Sequence, residues 1–237
     1  MTDPAPRTPD DGTAVLFLSG AGLQPWIWDD VRARLDRGTT SAVADYPRGA
    51  GASLAECADA AVATAPWPTF AVVAHSIGGV VATELLARHP GRVSAVLGVS
   101  AVIPRPGRSF ARSMPFPARL VLGTVIRVAG TRPPAATIRS GLTGGLPSTT
   151  ADRVVAEFRP ESPRLYLDPA SRGDRPGVRA YLHTSQDEEI SPSAQRRFAR
   201  VLDPDWTDEL ATGHLPMLQD PDGVSRSVCR LLAATRC

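Results

Sequence analysis

Short, unbroken apolar runs alternate with segments of helical spacing over the first hundred residues, and that alternation leaves few folds open. Ala14 to Leu18 (AVLFL), Ser41 to Ala44, Phe70 to Ala74 (FAVVA) and Val93 to Val102 (VSAVLGVSAV) read as strands buried on both faces. Between them lie Trp26 to Leu35, Ala52 to Ala65 and Ile77 to His89. In the first, Trp28, Val31 and Leu35 share one helical face. The second is Ala-rich and stops at Pro66 and Pro68. The third opens on glycines and ends before Pro90-Gly91. Such alternation predicts βαβ units: an α/β fold with a mostly parallel, doubly wound sheet and helices on both faces.

The rhythm breaks after Val102. Residues 104–165 carry prolines, arginines and short apolar stretches such as Leu120 to Ile126, with seven arginines and no acidic residue from Pro104 to Ala151. It resumes with a strand at Val178 to His183 and a helix that Ser191 caps and Pro192 starts. A last strand is expected near Trp206 to Ala211, and a closing helix from Asp220-Pro221 toward Leu232. The expected organisation is one core, 13–103 and 166–237, with a helical lid insertion at 104–165 and a disordered polar tail at 1–12. A chain of 237 residues suits one such domain.

Composition removes several function classes. With 26 basic and 24 acidic residues the net charge is +2, too small to attract nucleic acid or an anionic membrane as a whole. Every basic residue is Arg, and the chain has no Lys. Schiff-base chemistry, a pyridoxal anchor and a Walker-type phosphate loop are therefore excluded. Cys57, Cys229 and Cys237 form neither a disulfide framework nor a zinc spacing, and the four histidines do not cluster. No metal or other cofactor is expected. The N-terminus does not read as a signal peptide, and no apolar run approaches the roughly 18 residues of a membrane span. The expectation is a cytoplasmic protein acting on a small molecule, without nucleic-acid or membrane partners; the oligomeric state stays open.

Phe70 to Val81 (FAVVAHSIGGVV) carries the chemistry: a buried strand runs into Ala74-His75-Ser76-Ile77-Gly78-Gly79 and a helix follows at once. S-x-G-G alone is also an ordinary tight turn. With its flanking elements the segment resembles the G-x-S-x-G nucleophile elbow of the α/β-hydrolase family, with Ala74 in place of the first glycine. Such a turn needs small residues two before and two after the serine, and it aims helix N–H groups at the serine oxygen.

A serine needs a base and an orienting acid, which this family supplies in chain order serine, acid, histidine. His89, His183 and His214 follow Ser76. His89 ends the helix that Ser76 opens, about 18 Å away, and is expected to cap carbonyls there. His183 falls in a strand. His214, in Gly213-His214-Leu215-Pro216, resembles the family's histidine loop. For the acid, Asp187 is preferred over its neighbours Glu188 and Glu189, which with it could also be a solvated turn. The resemblance implies an oxyanion hole from the backbone N–H groups of Ile77 and Ala21. The latter lies in Leu18-Ser19-Gly20-Ala21-Gly22-Leu23, where Ser19 replaces a usual histidine. Trp26 and Trp28 are expected to pack a helix against the sheet.

The resemblance extends over residues 14–103 and 178–235 and is closest to the small plant-type esterase and hydroxynitrile lyase branch. Leu215 and Gly20 stand where the cyanide-releasing lyases carry Lys and Thr, which argues against that chemistry. The expected activity is a serine hydrolase cleaving a carboxylic ester or thioester through an acyl-enzyme. Two alternatives remain: a non-hydrolytic lyase or cyclase using His214 as base, and a ligand-binding protein with a vestigial triad. Met114, Phe116, Leu120, Val121, Leu122, Val125 and Ile126 are expected to line an apolar pocket or pack the lid onto the core, and His75 is a candidate to reach that pocket.

Overall fold

In the computed structural model, which describes residues 14–49 and 51–235, the apolar runs form one six-stranded, all-parallel sheet. The tail expected at 1–12 and Cys237 lie outside the described residues. The strands are β1 (Ala14–Leu18), β2 (Thr40–Val43), β3 (Phe70–His75), β4 (Val93–Val99), β5 (Val178–Thr184) and β6 (Trp206–Leu210), in the order β2-β1-β3-β4-β5-β6. The chain leaves β1 for the edge and returns to β1's other side as β3, so the winding reverses between them. That reversal opens a crevice at their carboxyl ends, where α/β sheets bind ligands. Leu18 pairs with Ala74, and His75 with Val99, so β1, β3 and β4 end nearly level there.

The helices before the break are α1 (Asp29–Arg32), α2 (Leu54–Ala63) and α3 (Gly78–Arg88). The helix expected at Trp26 to Leu35 is split: a 3-10 turn at Pro25–Trp28 precedes α1. Between β4 and β5 lie α4 (Phe110–Ser113), α5 (Ala118–Ala129), α6 (Ala135–Thr137), α7 (Ser148–Glu157) and α8 (Pro163–Leu167), with no strand among the described residues. Then come α9 (Pro192–Leu202), α10 (Pro216–Gln219) and α11 (Pro221–Ala234). Ser191 caps α9 by accepting the Ala194 N–H, and Asp220 caps α11 by accepting the Gly223 N–H. Strand alternation divides the core. Leu16, Leu18 and Val72 pack with residues of α2, α3 and α9; Phe17, Val73 and Leu97 pack with Trp28, Val228 and Leu231. No helix of the described residues is long and apolar enough to cross a membrane.

Two expectations fail here. Phe116, Leu120, Val121 and Val125 neither pack inward nor enclose an apolar pocket; they are 69%, 64%, 56% and 50% exposed, Leu120 only edging an arginine-lined cleft, and only Ile126 of α5 is buried. Periodicity revealed an apolar stripe but not which way it turns. His89 does not cap carbonyls with its ring: Nε2 lies 2.7 Å from Asp59 Oδ1 on α2, because the carboxylate is the stronger acceptor within reach.

Candidate active site

β3 ends in an abrupt turn. Ser76 has φ 53°, a left-handed conformation that costs a non-glycine residue on the order of 1–3 kcal/mol. The surrounding backbone holds it there. Ser76 N–H donates to Val99 O at 3.3 Å, and Ser76 O accepts from Val102 N–H at 2.9 Å. The turn fits because its neighbours are small. A Cβ on Gly78 would lie 2.5 Å from Leu18 O, and one on Gly79 2.6 Å from Val102 O. Ala74, in the family's glycine position, is fully buried.

His214 lies in the loop after β6 and Asp187 in the loop after β5. His214 Nε2 is 3.1 Å from Ser76 Oγ, and Nδ1 is 2.8 Å from Asp187 Oδ2. Ser76, Asp187 and His214 are all buried. The three side chains thus converge at the carboxyl edge of the sheet, from stretches 111 and 27 residues apart in sequence (187 − 76 and 214 − 187). Asp187 is saturated with donors. Oδ1 accepts the N–H groups of Glu189 (2.9 Å) and Ile190 (2.8 Å); Oδ2 also accepts the Thr184 hydroxyl (2.9 Å) and Gln195 Nε2 (3.2 Å). Burial alone would raise its pKa, but the His214 charge and these donors outweigh burial and leave it below the ordinary carboxylate value. Of its sequence neighbours, Glu188 is exposed, and Glu189 contributes its backbone N–H to Asp187. His183 instead packs its ring at a tilt against Tyr181, centroids 4.7 Å apart.

His75 has no exposed surface, so it does not reach an open pocket. Its Nε2–H donates to the His214 carbonyl at 2.8 Å, and its ring lies 4.7 Å from the His214 ring. Burial, then the proximity of His214, pushes its pKa down to about 3, so it is neutral.

The loop after β1 is held on both sides. Ser19 Oγ accepts the Trp28 indole N–H at 3.0 Å, so the residue that replaces the family's histidine has a partner. Gly20 lies so close to His75 that a Cβ would be 2.7 Å from Nδ1. From the insertion, Glu161 Oε1 accepts Gly22 N–H (3.2 Å), Arg159 N–H donates to Gly22 O (3.0 Å), and Glu157 accepts Trp26 Nε1 (2.7 Å). Trp26 packs against the core cluster as expected and also faces the insertion, where Arg153 covers its ring at 3.9 Å. Burial raises the Glu161 carboxyl pKa against the opposing effect of Arg48. Ala21 N–H and Ile77 N–H make no hydrogen bond with the described residues.

Gln195, Thr184 and Glu161 had no signal in the sequence. A glutamine on a polar helix reads as surface, yet Gln195 is fully buried and also accepts Thr184 N–H at 2.9 Å. No group of three or more His, Cys, Asp or Glu side chains among the described residues could hold a metal ion.

Residues 15–227 match the Alpha/beta hydrolase family. The chain belongs to that family. It is an enzyme of hydrolase type. No curated protein matches it in sequence. Among solved structures, an extracellular alpha/beta-hydrolase from a Paenibacillus species, described as sharing structural and functional homology with tobacco Salicylic Acid Binding Protein 2, superposes with a TM-score of 0.78 at 17% identity, over 92% of this chain and 98% of that one. A pyrethroid hydrolase from Sphingobium faniae JZ-2 gives 0.72 at 18% identity, over 94% and 98%. A tomato methylketone synthase I variant complexed with beta-ketoheptanoate gives 0.73 at 12% identity, over 96% and 100%. At these identities the likeness is one of fold.

Proposed function

We propose that the protein is a serine hydrolase that cleaves a carboxylic ester or thioester of a small to medium apolar substrate through an acyl-enzyme. The observation that carries this reading is Ser76 Oγ, 3.1 Å from an imidazole whose other nitrogen is anchored to a buried carboxylate. His214 takes the Ser76 proton as Oγ attacks the carbonyl carbon. Asp187 keeps the Nδ1–H tautomer and stabilises the imidazolium. The N–H groups of Ala21 and Ile77, without partners among the described residues, donate to the oxyanion. His214 then protonates the leaving group, and water, deprotonated by His214, releases the acyl group.

The insertion acts as a lid. Its 157–161 stretch bonds to the loop that carries Ala21, and Phe158 packs against Gly22 of the same loop.

The test is hydrolysis of p-nitrophenyl butyrate by the parent and by Ser76→Ala, with fluorophosphonate labelling of Ser76. Loss of turnover by about 10⁴-fold or more and loss of labelling in the variant are expected. Equal turnover in both proteins overturns the reading. The methylketone synthase neighbour motivates a second one, in which His214 alone acts as base on a bound acid. It predicts full activity toward that substrate class in Ser76→Ala.

A further inference from the structure

Every large hydrophobic side chain that is strongly exposed among the described residues falls between 116 and 128: Phe116, Leu120, Val121, Val125 and Val128. The last four lie on α5. At 3.6 residues per turn they fall within an arc of about 140°, and that arc faces solvent. A contiguous outward apolar face of this kind marks a surface that meets something.

The charge around it is one-sided. Arg108, Arg112 and Arg119 line two adjoining clefts of about 540 and 610 Å³. Arg197 and Arg200 of α9 also line the first; Arg127 and Leu120 of α5 line the second, so the apolar face and the basic clefts share an edge. No residue lining either cleft is acidic, and none of these six arginines makes an ion pair among the described residues. The small net charge of +2 conceals this concentration.

We infer that α5 and its arginine-lined clefts form a docking surface for an anionic lipid layer: the apolar arc enters the headgroup boundary and the clefts take lipid phosphates. An amphipathic helix with a basic margin binds such layers by both forces at once. A second copy of this chain is a poor occupant, because two-fold pairing would set arginines against arginines with no carboxylate between them. This surface goes beyond the ester chemistry, revises the expectation of no membrane contact, and stands whether or not Ser76 is the nucleophile.

Co-sedimentation with phosphatidylcholine vesicles, with and without phosphatidylglycerol, tests it. Binding to the phosphatidylglycerol vesicles is expected, weakening as salt is raised. Leu120→Asp with Val125→Asp, and Arg112→Gln with Arg119→Gln, should each weaken binding about tenfold or more. These side chains are exposed, and circular dichroism checks that the variants fold. Arg175→Gln, which removes an arginine paired with Asp203, should bind as the parent does. No preference for phosphatidylglycerol, or unchanged binding in either double variant, overturns the inference. So does a dimer in sedimentation velocity that Leu120→Asp turns into monomer, which would assign the face to a second copy.

Discussion

His75 Nε2 lies 2.8 Å from the backbone carbonyl oxygen of His214, and because a carbonyl only accepts, the imidazole is the donor. The last residue of the nucleophile's strand thus holds the loop that carries the base. Its other nitrogen, Nδ1, is left unprotonated and has no partner among the described residues, against Gly20. One ring therefore touches the three segments that must keep their relative positions: the nucleophile turn, the base loop and the loop after β1.

Removing this bond should loosen His214 without altering the substrate's contacts. His75→Phe is expected to lower kcat toward p-nitrophenyl butyrate about tenfold, the scale of one buried hydrogen bond, with KM little changed. His75→Gln, whose amide can still donate, should recover most of the loss. Equal losses in both variants would show that ring packing matters and the hydrogen bond does not.

The same histidine makes stability depend on acid. Its pKa is about 3 in the fold against 6.5 as a free side chain, so the unfolded chain takes up the proton first. The contribution of neutral His75 is complete above pH 6.5 and is lost as pH falls from 6.5 toward 3. By pH 5 the loss is ~2 kcal/mol. Urea titrations at pH 7 and pH 5 measure it. The drop should be smaller in His75→Gln, which has nothing to titrate; an identical drop in both proteins would place the acid sensitivity elsewhere.

Ser76 holds a left-handed backbone at φ 53° that glycine adopts without strain. Ser76→Gly and Ser76→Ala both remove the hydroxyl, so their difference isolates the strain. The glycine variant is expected to be about 1 kcal/mol more stable in urea than the alanine variant, although both should be inactive. Equal stabilities would mean that the elbow stores no strain at its β-carbon.

The sheet was legible because β1, β3 and β4 are buried on both faces and so read as unbroken apolar runs. The convergence of Ser76, Asp187 and His214 was legible too, since parallel strands bring their following loops to one edge. Contacts made across long sequence separations were not. Glu161 meets Gly22 across 139 residues, in a stretch with no periodicity to place it. Gln195 reads as solvent-facing until Thr184 and Asp187 are folded around it. On α5 the apolar spacing was plain, but spacing is the same for a face turned inward or outward.

Asp187→Asn tests the acid most directly, because the surroundings dictate how the amide must lie. Two backbone N–H groups, from Glu189 and Ile190, point at Oδ1 and demand an acceptor. The amide oxygen must take that place, which puts the NH₂ where Oδ2 now faces His214 Nδ1. His214 would then have to accept through Nδ1 and carry its proton on Nε2, where it can no longer receive the Ser76 proton. Folding should be largely retained, while kcat falls about 10⁴-fold at pH 7, as a wrong imidazole tautomer requires. A loss of less than tenfold would show that Asp187 does not set the tautomer of His214.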